Sequence, residues 1–226
     1  MTTLAQLADR AQNAISDAGA TTWSQSIVEE WSVEAVRDYS QFFPRRVTDT
    51  IATLVDDREY DLPADFRRML SVEYPTDQDP PEYLRRRSFM DPDFWEVDGY
   101  YDVVKHGDVA GVDELWISEK PAAGETITII YHADHDLSLA SGDSITVPAR
   151  HEHILVEFVI WRAWTELLGA EQQSPTSNSS LLMSQLAVNA DRAKRSYVQA
   201  LARARIAASG ESRSVRWMMD KYDRIY

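Results

Sequence analysis

Apolar side chains recur along this chain with two different periods, and the period changes twice. In residues 3–18, Leu4, Leu7, Ala8, Ala11 and Ile15 repeat at helical spacing. Thr3 and Gln6 stand at the separation of a capping box, and Gly19 offers a stop. A second helix is predicted over residues 23–42. Its stripe is Ile27, Val28, Trp31, Ala35, Tyr39 and Phe42; Thr22 and Gln25 repeat the capping spacing, and Pro44 ends it. The short link between the two predicts an antiparallel hairpin.

After Pro44 the period falls to two. Val47, Ile51, Leu54 and Val55 sit among threonines, which favours strand. Tyr60–Pro63 reads as extended, Met69–Tyr74 as a strand that Pro75 ends, and residues 75–82 as a loop. Tyr83–Met90 fits neither period clearly. Trp95–Val104 around Gly99 reads as strands or a hairpin, and Leu115–Ile117 as a short strand. Ile127, Ile129 and Tyr131 alternate with Thr126, Thr128 and Ile130, the clearest strand of the chain.

The period then returns to helical. Over Pro148–Leu168, Ile154, Leu155, Phe158, Trp161, Trp164, Leu167 and Leu168 make one broad face, and Val156, Val159 and Ile160 widen it. This core helix is predicted to carry Pro148 in its first turn and to stop at Gly169. Residues 169–180 are polar and serine-rich and read as a loop, from which Ser180 caps a last helix running to about Ala208. Its inner stripe is Leu182, Leu186, Ala190, Ala193, Tyr197, Leu201 and Ala204. The predicted class is α+β: a four-helix bundle of two N-terminal and two C-terminal helices, an antiparallel sheet or sandwich as insertion, and an extended C-terminal tail. The expected boundaries are residues 1–43, 44–147, 148–208 and 209–226.

Composition narrows the function classes. With 44% hydrophobic residues and seven Trp, the chain has the means to bury a core. Zero Cys excludes disulfides and thiolate chemistry. No secretory leader and no membrane-length apolar run is visible. The formal charge is −14, which opposes phosphate binding. Residues 192–226 nevertheless hold nine basic side chains against three acidic, +6, leaving −20 for residues 1–191. That C-terminal region either meets an acidic partner or packs on the chain's own acidic body.

Candidate chemistry is sparse. His132, Asp134, His135 and Asp136 follow the best strand, and His151 and His153 open the core helix. Such groups could hold a divalent metal, although residues 151 and 153 lie about 200° apart on a helix. Neither the phosphate-binding glycine loops nor a nucleophile elbow is present, so neither catalysis nor a cofactor is expected. Arg85-Arg86-Arg87 is the densest basic run, either a solvated face or a contact to an anionic neighbour. Trp217, Met218, Met219, Tyr222 and Tyr226 are of the residue types enriched at interfaces.

Several stretches, taken in order, resemble a known family. They are Tyr60–Arg68 (YDLPADFRR), Ser71–Tyr74, Gly99–Tyr101, Leu115–Tyr131 (LWISEKPAAGETITIIY), Leu137, Val147-Pro148 and the core helix. The chain resembles the head-to-tail connector (adaptor) proteins of tailed bacteriophages. The resemblance implies a dodecameric ring docked beneath the portal protein in the neck of the virion. It also implies contacts to tail or neck proteins, synthesis in the host cytoplasm, no membrane, and DNA passing through the channel without sequence-specific binding. It assigns the C-terminal segment to portal binding, through Arg213, Val215, Arg216, Trp217, Met218, Met219, Tyr222, Ile225 and Tyr226. The alternatives from the residues alone are a monomeric binding module using the β insertion and a metal-dependent hydrolase using His132 and His135.

Overall fold

A computed structural model of the chain describes residues 2–15, 19, 22–105, 113–122, 124–137, 139–173 and 179–222, with side chains described up to Ser209 in the last helix. The fold is mixed α+β, with four helices and two sheets among the described residues. The chain divides into two compact units, Met1–Tyr39 with His135–Tyr226, and Ser40–Asp134.

The first unit is helical. Helix α1, Leu4–Ala14, starts at the predicted capping box: the Gln6 amide donates to the Thr3 hydroxyl, and the Thr3 amide donates to the Gln6 side chain. Helix α2, Gln25–Phe42, begins two residues later than predicted. The Ser24 carbonyl accepts amides of its first turn, from Ile27 and Val28. Ile27 is 37% exposed, while Val28, Trp31, Ala35 and Tyr39 are buried as predicted. The connection between the helices is therefore longer than the four residues expected.

Helix α3, Glu152–Gln173, is preceded by a 3₁₀ turn, Ala149–His151, for which Pro148 is the cap. Ile154, Leu155, Phe158, Val159 and Ala163 are buried, whereas Trp161, Trp164, Leu167 and Leu168 are half-buried. Gly169 does not end α3. The residues after it, Ala170, Glu171, Gln172 and Gln173, are strong helix formers and outweigh the ~1 kcal/mol cost of one glycine.

Helix α4, Ser179–Tyr222, departs furthest from expectation. It starts ahead of Ser180, so that residue is no cap. It also runs through residues predicted as an extended tail; no proline follows Ala208, and Gly210 costs a helix only ~1 kcal/mol. Leu182 is 37% exposed, and the rest of the predicted stripe, Leu186 to Ala204, is buried. Helix α3 packs on α4 and α1. Polar contacts join α2 to its neighbours, through Arg162 to Glu34 at 3.5 Å and the Tyr197 hydroxyl to Asp38.

Among the described residues, the second unit holds seven strands. β1 (Arg45–Ala52), β7 (Thr126–Ala133) and β3 (Phe66–Glu73) form one antiparallel sheet in the order β1-β7-β3. β2 (Glu59–Asp61), β6 (Glu114–Ile117), β5 (Tyr100–Val104) and β4 (Arg85–Arg86) form the other, in the order β2-β6-β5-β4. Among the described strands only the β4–β5 pair is parallel, which the antiparallel expectation did not contain. The alternation of β7 is strict: Ile127, Ile129, Tyr131 and Ala133 point inward and are buried. They meet Val72 of β3 and Leu115 and Ile117 of β6 in one core drawn from both sheets. Each of these large aliphatic side chains stabilises the unit by roughly 1.5–3 kcal/mol.

Candidate partner-binding surfaces

Helix α4 is anchored through a single stripe. The Tyr197 ring lies 5.4 Å from Phe158 and stacks on Trp161 at 6.0 Å. Its hydroxyl donates to Asp38, and burial together with that carboxylate raises its pKa well above the usual phenol range. Lys194 sits 5.6 Å over Trp161. Ala190 and Ala193, both buried, present no bulk to a neighbouring helix. Ala204 is the last buried side chain described; Arg205 to Ser209 are all exposed, with Ile206 at 71%. The helix continues to Tyr222, roughly 27 Å beyond Ala204 at ~1.5 Å per residue. Arg213, Val215, Arg216, Trp217, Met218, Met219 and Tyr222 lie on this helical extension, while Ile225 and Tyr226 fall outside the described residues.

The histidines go to different tasks. On β7, His132 pairs across to Arg46 of β1 and Arg68 of β3. Burial first, and then Arg68, Arg46 and Arg67, lower its pKa below the ordinary value; a ring among arginines is a poor place for a cation. His135 is buried with its Nδ1 2.8 Å from the Thr146 hydroxyl. Its ring lies 5.4 Å from Tyr39. On the 3₁₀ turn, His151 has its Nδ1 2.5 Å from the Tyr39 hydroxyl. Tyr39 is buried, which pushes its pKa up to about 12, so at neutral pH it is a proton-bearing hydroxyl that binds an imidazole. His153 is exposed on α3. Among the described residues no group of three or more His, Asp or Glu side chains is placed to hold a metal ion. Nor is any described helix long and apolar enough to cross a membrane.

The arginine run does not act as one patch. Arg87 is held by Asp91 at 2.9 Å and Asp93 at 2.7 Å and lies over the Tyr100 ring, and Arg86 reaches Asp102 at 3.4 Å. Arg85 instead faces a hollow of about 320 Å³ lined also by Tyr74, Tyr83, Tyr100, Glu82, Asp98 and Glu119. Burial raises the pKa of Glu119, and Asp98, Glu82 and Glu125 add to the rise. The Gly99 amide donates to Glu119 at 3.0 Å. Sequence reading missed this hollow because its residues are scattered over Tyr74–Glu119. It equally missed the row Arg46–His132–Arg68, which exists only through strand pairing.

The SU10 adaptor protein family model matches residues 2–218. The chain belongs to the SU10 adaptor protein family. The match spans both units and nearly all of α4. Phage adaptors are structural components of the virion at the head–tail junction, and other head or tail proteins are their partners. The family read from the order of the sequence motifs is therefore the family to which the chain belongs. Among curated proteins nothing matches.

Proposed function

We propose that this adaptor works as an oligomeric ring, dodecameric as the resemblance implies, docked beneath the portal protein. The ring extends the DNA channel and gives tail or neck proteins their attachment surface. Membership of the family over residues 2–218 supports the adaptor role. The observation that carries the docking reading is that α4 outlasts its own buried stripe: Arg205 to Ser209 are exposed, and the helix continues to Tyr222. Residues 209–226 are assigned to portal binding, with Arg213, Val215, Arg216, Trp217, Met218, Met219, Tyr222, Ile225 and Tyr226 as the contact set. Residues 1–43 and 148–208 act as one four-helix bundle, and residues 44–147 as its insertion. The protein is made in the host cytoplasm and resides in the neck of the virion. A chain of charge −14 suits a channel wall, since negative side chains repel DNA phosphates and let the duplex slide.

Removal of residues 209–226 tests the docking segment, because Ala204 is the last buried side chain of α4 among the described residues. Far-UV circular dichroism per residue and thermal midpoint should stay near those of the full chain. Binding to portal rings of the same phage, imaged by electron microscopy, should be lost. Undiminished ring density below the portal would remove the segment from the contact. A second reading, a binding module acting as a monomer, draws support from the hollow of about 320 Å³ in the β unit. A full chain that stays monomeric with and without portal rings would favour it.

A further inference from the structure

Within the unit Ser40–Asp134, two local clusters of like charge lie toward opposite ends of β7. At one end, Arg46 of β1 and Arg68 of β3 flank His132 of β7 in a row across three strands. Their chain neighbours are neutralised, Arg45 by Asp65 at 2.7 Å and Arg67 by Asp134 at 2.9 Å. Arg46 and Arg68 are exposed and pair with no carboxylate among the described residues. At the other end lies the hollow. Among the described residues, Glu82, Asp98 and Glu119 line it with Arg85 as the cation, and Tyr83 and Tyr100 form apolar walls. The hollow adjoins the start of β7: its Tyr74 donates to Glu125, which immediately precedes that strand. His132 lies six residues further along β7, about 20 Å away at ~3.3 Å per residue. Among the described residues, two arginines without a carboxylate partner thus stand toward one end of β7 and three carboxylates toward the other.

We propose that these ends are the two halves of one head-to-tail contact between copies of this chain: the Arg46–His132–Arg68 end of one copy seats against the Glu82–Asp98–Glu119 hollow of the next. The inference rests on the ring reading and supplies its subunit contact. Complementary patches at different places on one molecule make a heterologous contact, which closes into a ring when the rotation allows. Guanidinium groups suit carboxylates, where they bond in a bidentate fork, and tyrosine faces, on which they stack. Duplex DNA is the weaker candidate for the basic row. Two exposed cations neutralise few phosphates, the third member of the row is shifted toward its neutral form, and the chain as a whole is −14.

The test uses two full-length variants, Arg46→Glu with Arg68→Glu, and Glu82→Arg with Asp98→Arg. All four positions are exposed, so both variants should fold, as circular dichroism will verify. Sedimentation velocity at low ionic strength, with and without portal rings, reads assembly. Each variant alone should assemble at least about tenfold more weakly than the natural chain, with a reduced salt dependence. An equimolar mixture should recover the natural sedimentation profile, because each reversed end then meets a reversed partner. Variants that assemble normally alone, or a mixture that does not recover, would overturn the contact while leaving the ring reading intact. Binding of short duplex DNA by the natural chain that Arg46→Glu with Arg68→Glu abolishes would reassign the row to phosphate. A natural chain that forms no oligomer, alone or on portal rings, would overturn the ring reading and this contact with it.

Discussion

Glu119 illustrates how a single side chain can carry a conflict that its neighbours created. It accepts a hydrogen bond from the Gly99 amide, which favours the carboxylate. Burial and the nearby Asp98, Glu82 and Glu125 work against that charge and leave its pKa above the ordinary value. A raised carboxyl pKa means that the folded state holds the proton more tightly than the unfolded chain does. The contribution of Glu119 is therefore fully present below the ordinary pKa of about 4.5. It is lost as pH rises through the folded value. Glu119→Gln keeps an acceptor for the Gly99 amide and removes the charge. Urea unfolding should show this variant more stable than the natural chain at pH 7, with the difference shrinking to nothing below about pH 4. A constant difference across that range would mean that the gain came from something other than charge. None of this was legible in the sequence, where Glu119 is one of 37 acids; its environment is assembled from residues far along the chain.

At the scale of elements, local signals located the starts of helices better than their ends. The capping box at Thr3 operates as its spacing implied, and the strict alternation of residues 126–133 becomes the central strand of its sheet. Gly169 shows the limit of such signals. It looked like a stop, yet α3 continues to Gln173. A glycine costs a helix only ~1 kcal/mol, so it ends a helix only where the following residues also disfavour one. A Cβ placed on Gly169 would meet no heavy atom within 4 Å. Gly169→Ala should consequently raise stability by about 0.5–1 kcal/mol in urea denaturation. A loss of stability would indicate that this turn leaves helical geometry in solution. The inner stripe of α4 was legible because Leu186, Ala190, Ala193, Tyr197, Leu201 and Ala204 keep helical spacing. The length of the helix was not, since the residues that keep this spacing end at Ala204.

For the whole molecule, the division at Ser40–Asp134 has a direct consequence. Arg45 at the start of β1 pairs with Ala133 at the end of β7, so the unit's two ends emerge side by side. Its core residues, from Tyr60 to Ala133, all belong to the same unit. A fragment of residues 40–134 should fold by itself and unfold in urea in one cooperative transition, with a dispersed amide spectrum by nuclear magnetic resonance. A collapsed fragment without cooperativity would show that this core needs the helices. Independent folding of the unit would also allow its two charged ends to be studied apart from α4.

The sequence by itself determined the class of the fold, the positions of most strands and helices, and the family, through the order of motifs from Tyr60 to the core helix. These follow from periodicity and local chemistry, which are properties of neighbours along the chain. Only the tertiary structure decided that α4 continues as helix to Tyr222, that the histidines bond to Tyr39 and Thr146 or sit among arginines, and that Arg46 and Arg68 flank His132 while Glu82, Asp98 and Glu119 share a hollow. The physical reason is that each of these depends on strand register and helix packing, which bring together residues whose separation in sequence carries no signal.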